Sequence, residues 1–372
     1  MGASTTTAGR KVFYVSHHSS IVGGGEISLL TLIEGLRDTE WSPTLVLPER
    51  GQLSEMAIEA GASILEAPMP TLRRPGRSVL ASLRSIRRQM KAACPDIVHA
   101  NGTRAMFYGG LGARAAGCPS IWHLRILEKD KRFDPILVRL ATASIAVSEA
   151  ARARLEAWPG ALGRCRVVPN GIDLASFAAS TPRRETREIL GIRPDSTAVV
   201  SVSRLVDFKR LDLLLEALAR LRPQNPDLEC VIVGKGPEEA ALRERAARPD
   251  LAGAVVFAGH RDNIADILSA CDLFVLTSPV ESFARSVIEA MAMELPVVTP
   301  EAGGPSEIVV HQKTGLMVRP GDVDTLADAI ARLLDEPQQR RTMGLSGRRR
   351  AEENYSRKTH TENVLSCYEE LL

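Results

Sequence analysis

Short apolar runs alternate along the chain with longer segments whose apolar residues recur at helical spacing. Runs of this kind, bounded by turn residues, predict buried strands of parallel sheets. In the first half we predict strands at Lys11–Ser16, Thr44–Leu47, Ser63–Glu66, Asp96–Ala100, Ser120–Leu124, Ser144–Val147 and Arg166–Val168. In the second half we predict them at Ala198–Val202, Glu229–Val233, Ala254–Phe257, Leu273–Leu276, Pro296–Thr299 and Gly315–Val318. This alternation implies right-handed crossovers, so two doubly wound α/β domains are expected, joined near residues 169–179.

The composition is that of a soluble globular protein, and 372 residues exceed what one core usually holds. Aromatic residues make up only 4%, which argues against a surface that binds carbohydrate or single-stranded nucleic acid by stacking. No apolar stretch reaches the length of a membrane span, and residues 1–9 are interpreted as a disordered leader, not a signal peptide. The cysteines show no paired spacing and indicate reduced thiols in a cytosolic protein: Cys94, Cys118, Cys165, Cys230, Cys271 and Cys367.

The net charge of +2 hides an uneven distribution of charge. Residues 1–170 carry 22 basic against 14 acidic residues, and residues 171–372 carry 25 against 31. The segment 72–91 is basic and has apolar residues at helical spacing, which predicts an amphipathic basic helix. It is either a patch that contacts anionic lipid headgroups or an ordinary surface helix with a solvated basic face. Nucleic acid is not expected as a partner, because no recognition motif accompanies the charge.

The most informative segment contains two glutamates, Glu281 and Glu289. Glu281 follows the predicted strand at 273–276, so it is expected on a loop at the carboxyl end of a strand, where open α/β sheets bind ligands. Glu289 lies in an apolar run and is expected inside a helix over 286–293. If the stretch were helical throughout, about 12 Å would separate them, which suits the two hydroxyl-bearing ends of an elongated ligand. Solvated charges at a helix start would explain one of them but not Glu289.

Basic residues follow the first strand of the second half, where Arg204 and Lys209 precede a helix over Leu211–Leu221. These two residues suit a diphosphate, because an arginine can donate two parallel hydrogen bonds to phosphate oxygens and a lysine supplies a compact positive charge. Capping and salt bridging are the alternative. His123 lies at the end of a predicted strand, where a functional histidine and a satisfied structural one are both open.

Glycine-rich turns follow three of the predicted strands. Gly24 and Gly25 precede a helix and would let backbone N–H groups approach a phosphate or sugar, although a plain tight turn is the alternative. The turn at Gly234 either admits a nucleotide base or simply makes the turn. Gly303–Gly304 form a third such loop. Asp322-Val323-Asp324 is better explained by helix capping than by a metal, and no His/Cys cluster has metal spacing.

Taken together, these residues resemble the retaining glycosyltransferases of family 4, over nearly the whole chain. The shared motifs are the E-x7-E segment at Glu281 and Glu289, S-R-L…K at 203–209, P-N-G-I-D at 169–173 and G-G-x-x-E at 303–307. The resemblance implies the GT-B fold, in which two Rossmann-like domains face a central cleft. It implies an acceptor-binding domain over 1–172, a nucleotide-sugar-binding domain over 173–354, and a C-terminal helix over 355–372 that packs back on the first domain.

The resemblance also implies the residue roles. Arg204 and Lys209 would bind the diphosphate, and Glu289 the ribose hydroxyls. Glu281 would hold the transferred sugar together with the loop Phe283–Arg285. His123 would reach the outer hydroxyls of the sugar. The resulting donor-binding set is Gly24, Gly25, Arg204, Lys209, Gly234, Phe283, Ala284, Arg285 and Glu289, and the catalytic set is His123, Glu281, Arg204 and Lys209.

The function implied is transfer of a hexose from a UDP- or GDP-sugar to a glycan or lipid-linked acceptor, with retention and without metal or cofactor. An envelope or exopolysaccharide pathway is expected, and a cytoplasmic protein peripheral on the inner face of the membrane. The alternatives are a nucleotide-sugar 2-epimerase of the same fold and a non-catalytic nucleotide-sugar-binding protein. Ala284 departs from the family, which commonly has glycine there, and its methyl group disfavours positive φ beside the sugar site.

Overall fold

The computed structural model describes residues 9–72 and 76–372. The chain divides into two compact units, Met1–Gly171 with Arg357–Leu372, and Ile172–Ser356. Each unit contains one parallel sheet with helices in its crossovers.

The sheet of the first unit has seven strands in the order β3-β2-β1-β4-β5-β6-β7. The first six follow the Rossmann order 3-2-1-4-5-6, whose strand order reverses between β1 and β4. The strands are β1 Arg10–Val15, β2 Trp41–Leu47, β3 Ser63–Glu66, β4 Ile97–Asn101, β5 Ser120–Leu124, β6 Ala143–Ala146 and β7 Cys165–Val167. The helices are α1 Gly24–Gly35, α2 Gln52–Glu59, α3 Arg77–Ala93, α4 Thr103–Ala116, α5 Asp134–Leu140, α6 Glu149–Arg152 and α7 Pro159–Leu162, with a 3₁₀ turn at Ala153–Leu155.

The sheet of the second unit has six strands in the same Rossmann order, β10-β9-β8-β11-β12-β13. The strands are β8 Thr197–Val202, β9 Leu228–Val233, β10 Val255–Gly259, β11 Leu273–Val275, β12 Val297–Pro300 and β13 Gly315–Val318. The helices are α8 Arg183–Leu190, α9 Leu211–Leu221, α10 Glu239–Ala246, α11 Ile264–Ser269, α12 Arg285–Ala292, α13 Pro305–Ile308, α14 Val323–Asp335 and α15 Pro337–Asn354, with a 3₁₀ turn at Asp207–Lys209. Every predicted strand is present, with ends shifted by up to three residues. The inner strands contain apolar runs buried on both faces, the usual pattern of parallel sheets.

The last helix, α16 (Arg357–Glu369), belongs to the first unit although it follows the second in sequence. It is a separate helix, since α15 ends at Asn354 and α16 starts at Arg357. Val364 and Tyr368 are fully buried in the core formed by α1 and the sheet. Trp41 meets the Tyr368 ring edge-on at a centroid distance of 5.0 Å. The core of the first unit therefore depends on residues from both ends of the chain.

The predicted basic helix is present as α3, and most of its apolar face packs against the rest of the first unit. Val79, Ile86 and Met90 are buried, and Met90 packs against Gly112 of α4. The exposed face carries Arg77, Arg84, Arg87, Arg88 and Lys91. Arg73, Arg74 and Pro75 of the predicted segment lie outside the described residues. No helix in the described ranges is both long and apolar enough to cross a membrane.

Two smaller predictions are confirmed. Asp322 caps α14, because its side chain accepts hydrogen bonds from the backbone N–H groups of Asp324 and Thr325. All six cysteines, which fall within the described residues, are free thiols. Burial raises the pKa of the Cys271 thiol to about 12, so this cysteine is inert at neutral pH.

An ion pair lies wholly inside the first unit. The Arg154 and Asp134 side chains are 1% and 0% exposed, and the guanidinium donates to both carboxylate oxygens. Thr103 accepts a further hydrogen bond from Arg154 at 3.3 Å, and the guanidinium lies 5.0 Å from the ring centroid of Trp122. The carboxylate also accepts from the backbone N–H of Asp130 at 3.0 Å. Both charges are thus hydrogen-bonded as burial requires.

Candidate functional site

A charged pair lies at the carboxyl edge of the second sheet. Lys209 follows β8 and Glu281 follows β11, and these two strands are neighbours. The Lys209 ammonium and the Glu281 carboxylate form an ion pair, with side chains 14% and 13% exposed. The structure therefore brings together two candidate residues to which the family resemblance assigns separate roles. The alternative raised for Lys209, salt bridging, is therefore part of what this side chain does.

Two hydroxyl side chains that the sequence analysis missed hold the pair in place. Thr277 Oγ1 donates to the carbonyl oxygen of Lys209 at 2.7 Å, and Ser278 Oγ donates to that of Phe208 at 3.2 Å. Both residues are buried directly after β11. The signal available in the sequence was the abrupt change from apolar residues to two small hydroxyl residues at a strand end. They fasten the loop after β8 to the loop after β11, which fixes the position of Lys209.

Arg204 is placed differently from Lys209. Its side chain is exposed, and its guanidinium lies 5.9 Å from the ring centroid of Phe208, while Lys209 Nζ lies 5.4 Å from the same ring. Within the described part of the chain, no carboxylate lies at ion-pair distance from Arg204. An aromatic ring attracts a cation without neutralising it, so the guanidinium can still bind an anion. At this edge of the sheet, Arg204 therefore has no carboxylate partner in the described residues. Lys209 has one, Glu281, which an anionic ligand could displace.

Glu289 lies inside α12, as predicted, and Glu281 on the loop before it. Arg285 Nε donates to Glu289 Oε1 at 3.0 Å, and the two side chains are 19% and 14% exposed. The helix begins at Arg285, one residue earlier than predicted. Because an ionised carboxylate accepts at both oxygens, Glu289 can hold Arg285 and still accept from a ligand hydroxyl. The arginine therefore orients the carboxylate along the helix.

The loop between the glutamates contains the backbone strain that the sequence suggested. Ala284 adopts the left-handed conformation, with φ 56° and ψ 75°, immediately before α12. This conformation costs a residue with a Cβ about 1–2 kcal/mol. The neighbouring Phe283 is buried, with its ring 6.2 Å from that of Tyr355. Packing on one side and the helix on the other therefore hold Ala284 in a conformation that glycine would adopt without cost.

Three glycines of the motifs are packed against protein backbone. A Cβ at Gly234, where φ is +137°, would lie 1.9 Å from the carbonyl oxygen of Ser203. Cβ atoms at Gly303 and Gly304 would lie 2.4 Å and 2.3 Å from the carbonyl oxygens of Glu281 and Ser282. Gly304 N also donates to the Glu281 carbonyl at 2.9 Å. The absence of a side chain at these glycines therefore lets their loops pack directly against the backbone of Ser203, Glu281 and Ser282.

The other candidates belong to the first unit, where Arg125 links them. His123 is fully buried in β5, and its Nδ1 lies 2.8 Å from Nε2 of His99 and 3.4 Å from a terminal nitrogen of Arg125. A Cβ on Gly25 would lie 3.4 Å from Cδ of Arg125. Gly24 and Gly25 form the first residues of α1. Arg125, which the sequence analysis missed, therefore contacts both predicted parts of this edge, and it also donates to Asn101 and Asn170.

The buried histidines are neutral. Burial, followed by the positive charge of Arg125, holds the pKa of His123 and of His99 well below the ordinary histidine value. Among the residues that the structure describes, no three His, Cys, Asp or Glu side chains are grouped closely enough to hold a metal ion.

Two Rossmann-like units, with cations and carboxylates at the carboxyl edge of the second sheet, define the GT-B class of proteins. The solved structure of HepE from Anabaena in complex with UDP superposes with a TM-score of 0.84 over 97% of this chain and 100% of that one, at 24% identity. The predicted GT-B fold is therefore confirmed.

Family models give the finer assignment. Residues 182–350 match the model "Glycosyl transferases group 1", and residues 22–176 match "Glycosyltransferase Family 4". A glycogen synthase from Mycobacterium tuberculosis is 30% identical over 293 residues, which cover 74% of this chain and 68% of that protein. The chain belongs to the group 1 glycosyltransferase family.

Another relative matches over less of its length. The lipopolysaccharide core biosynthesis mannosyltransferase LpsB from Rhizobium meliloti is 30% identical over 213 residues, covering 55% of this chain and 61% of that protein. The match thus spans less than two thirds of that relative.

Proposed function

We propose that the protein transfers a hexose, with retention of anomeric configuration, from a UDP- or GDP-sugar to a hydroxyl of a glycan or lipid-linked acceptor. The observation that carries the proposal is the arrangement of Arg204, Lys209 and Glu281 at one sheet edge, with Glu289 in the helix that follows Glu281. Cations there suit a diphosphate, and carboxylates suit sugar hydroxyls. The relatives named for lipopolysaccharide and glycogen synthesis support a glycan product in envelope or exopolysaccharide synthesis.

The ion pair between Lys209 and Glu281 indicates how the donor would bind. When a diphosphate enters, its oxygens would replace the carboxylate as partner of the ammonium group. Glu281 would then be released to accept hydrogen bonds from the hydroxyls of the transferred sugar, beside the loop Phe283–Arg285. Glu289, oriented by Arg285, would accept from the ribose hydroxyls, and the turn at Gly234 would lie beside the base. Donor binding would thus exchange the ion pair between Lys209 and Glu281 for contacts of each side chain with the donor.

Departure of the nucleoside diphosphate builds negative charge on phosphate, which Arg204 and Lys209 would stabilise in the transition state. The leaving phosphate would take the proton of the attacking acceptor hydroxyl on the same face of the sugar, which retains configuration. We propose that this reaction needs no metal, because fixed side-chain cations supply the compensating charge.

Thermal-shift titration with UDP-, GDP- and ADP-sugars tests the donor site. We expect one nucleotide class to stabilise the protein without added metal, by about 2.7 kcal/mol at a hundredfold excess over Kd. Glu289→Ala should lose this stabilisation. Glu185→Ala, which removes an exposed glutamate of α8, should keep it. If no nucleotide stabilises the wild type, the assignment of the second unit is wrong.

Product analysis separates the proposal from its alternatives. With the stabilising donor and an acceptor, the anomeric proton coupling of the product should match that of the donor. Isomerisation of the donor without acceptor would indicate the 2-epimerase. Binding of the donor with neither reaction, across an acceptor panel, would indicate the non-catalytic binding protein.

We also propose that the basic face of α3 contacts anionic lipid at the membrane surface. Because Val79, Ile86 and Met90 of the apolar face are buried in the unit, the contact would be mainly electrostatic, at about 1 kcal/mol per basic residue. Replacing Arg84, Arg87 and Arg88 together with glutamine should therefore weaken sedimentation with anionic vesicles at low salt by about 3 kcal/mol, roughly two orders of magnitude. The same replacement of Arg248, Lys313 and Arg319, exposed residues of the second unit, is the control. Equal loss in both variants, or no binding by the wild type, would refute the patch.

A further inference from the structure

Two histidines and an arginine lie at the carboxyl edge of the first sheet, at the point where its strand order reverses. His17 and His18 lie on the loop after β1, with ring centroids 3.9 Å apart. Arg104 lies in the first turn of α4, three residues after the end of β4. Since β1 and β4 pair in parallel, with Val15 opposite Ala100, these side chains follow the same ends of neighbouring strands. Open α/β sheets bind ligands at such a switch point.

Arg104 supplies a positive charge at this point. Its side chain is half-buried, and within residues 9–72 and 76–372 no carboxylate lies at ion-pair distance from its guanidinium. Burial lowers the pKa of His17 to about 3, and the charges of His18 and Arg104 add to the effect, so His17 is neutral at physiological pH. Nδ1 of His17 is buried and, in the part of the chain that the structure describes, has no hydrogen-bond partner. A buried polar atom of this kind indicates a partner that the chain does not supply.

A second arginine lies at the same edge. Arg125 follows β5, which is the neighbour of β4, and its guanidinium donates to the side-chain oxygen of Asn101. Asn101 ends β4 three residues before Arg104, so the two arginines flank the segment 101–104. Glu26, near the start of α1, is buried, and its carboxylate accepts a hydrogen bond from the backbone N–H of Gly23 at 3.0 Å. The ends of β4 and β5 therefore carry two guanidinium groups.

We propose that Arg104 and His17 bind a phosphate group of the acceptor at this switch point. A guanidinium donates parallel hydrogen bonds to phosphate oxygens, and an imidazole N–H adds another donor. The inference rests on the proposed function for the identity of the ligand as the acceptor, but not for its phosphate group.

Exposed apolar side chains on two loops of this edge bear on what else the acceptor carries. Val22, on the loop after β1, is 45% exposed, and Ile126, on the loop after β5, is 46% exposed. A phosphate ester of a hydrocarbon chain could bury such side chains, whereas a sugar phosphate would leave them in water. Because both esters share the phosphate group, the test uses one of each.

The test is the protonation state of His17, measured by long-range ¹H–¹⁵N correlation on protein labelled with ¹⁵N-histidine. The signals of His17 are assigned by their loss in His17→Gln. In the free protein, His17 should stay neutral from pH 7.5 down to about 4.5. Glucose 1-phosphate, or decyl phosphate below its micelle concentration, should raise the pKa of His17 to about 4–6, because a nearby opposite charge favours the charged imidazole. His17 should then titrate within this pH range.

Arg104→Gln should weaken binding of the phosphate ester about 10–100-fold, as expected for loss of a hydrogen bond between charged groups. The free imidazole of His17 should remain neutral in this variant, because burial is the largest cause of its low pKa. Arg114→Gln, at an exposed arginine in the last turn of the same helix, is the matched control and should keep the response. Arg204→Gln, in the candidate donor site, should also keep it, which separates the two sites.

The same esters distinguish a soluble acceptor from a lipid acceptor, since a response to decyl phosphate alone assigns the lipid. No change of His17 with either ester overturns the proposal, as does an equal response in Arg104→Gln. If sugar is transferred equally well to acceptors with and without phosphate, the phosphate site fails and the proposed function stands. If His17 responds but no donor yields transfer to a phosphate-bearing acceptor, the proposed function fails and the phosphate site stands.

Discussion

Replacing Lys209 with methionine is expected to lower kcat about 10²–10³-fold, the usual effect of removing one preorganised group that stabilises transition-state charge. The substitution keeps most of the side-chain volume and removes the ammonium group that would face the leaving diphosphate. Because that charge develops as the bond to the sugar breaks, kcat should fall more than KM rises. Steady-state transfer assays at saturating donor measure both constants.

The ion pair with Glu281 requires a second variant. Lys209→Met alone leaves the carboxylate, 13% exposed, without its ammonium partner and is expected to destabilise the second unit. Adding Glu281→Gln should restore much of that stability but not the turnover, because the effects on folding and catalysis have different origins. Lys313→Met, at an exposed lysine of the same unit, should change neither. A rise in KM with unchanged kcat would show that Lys209 only binds the ground state.

The largest effect on stability is expected at the buried pair of the first unit. Asp134→Ala leaves the Arg154 guanidinium, 1% exposed, without its carboxylate. An uncompensated buried charge costs about 3–5 kcal/mol, so the free energy of unfolding of this unit should fall by that amount. Thr103 and the Trp122 ring remain near the guanidinium but neither carries the compensating charge. Urea denaturation followed by tryptophan fluorescence measures the change.

Two further variants establish that charge is the cause. Replacing both partners, Asp134→Leu with Arg154→Met, should recover most of the stability, because an apolar pair avoids the cost of dehydrating charges. Asp38→Ala, at an exposed aspartate of the same unit, should change the free energy of unfolding by about 0.5 kcal/mol or less. If the double replacement is as unstable as Asp134→Ala, packing rather than charge is responsible.

Hydrophobic patterning predicted the strands because most of those in the two sheets contain a run of apolar residues. The run Leu273–Leu276 shows why: four apolar residues between polar ones allow little other than a buried parallel strand. The same run placed Glu281 on a loop at a carboxyl edge. Ala284 was also predictable, since a motif position usually occupied by glycine indicates positive φ, and φ is 56°.

Contacts that depend on the order of strands in the sheet could not be read from the pattern. Lys209 meets Glu281 only because β8 lies beside β11, and the periodicity of a strand carries no information about its neighbour. The side chains of Tyr368 and His99 meet across 269 residues of sequence because α16 packs on the first unit, which its own periodicity does not reveal. The basic face of α3 was predicted, but whether its apolar face is buried depends on the packing of α4.

The placement of α16 in the first unit also affects how the protein is made. During synthesis the second unit, Ile172–Ser356, is complete in the nascent chain before Arg357–Leu372 has been translated. Domains generally fold as units, the N-terminal one first. Here the N-terminal unit must wait with part of its core open, because Val364 and Tyr368 come last. The later unit can therefore finish folding first, and the earlier one exposes apolar surface to chaperones or aggregation in the meantime.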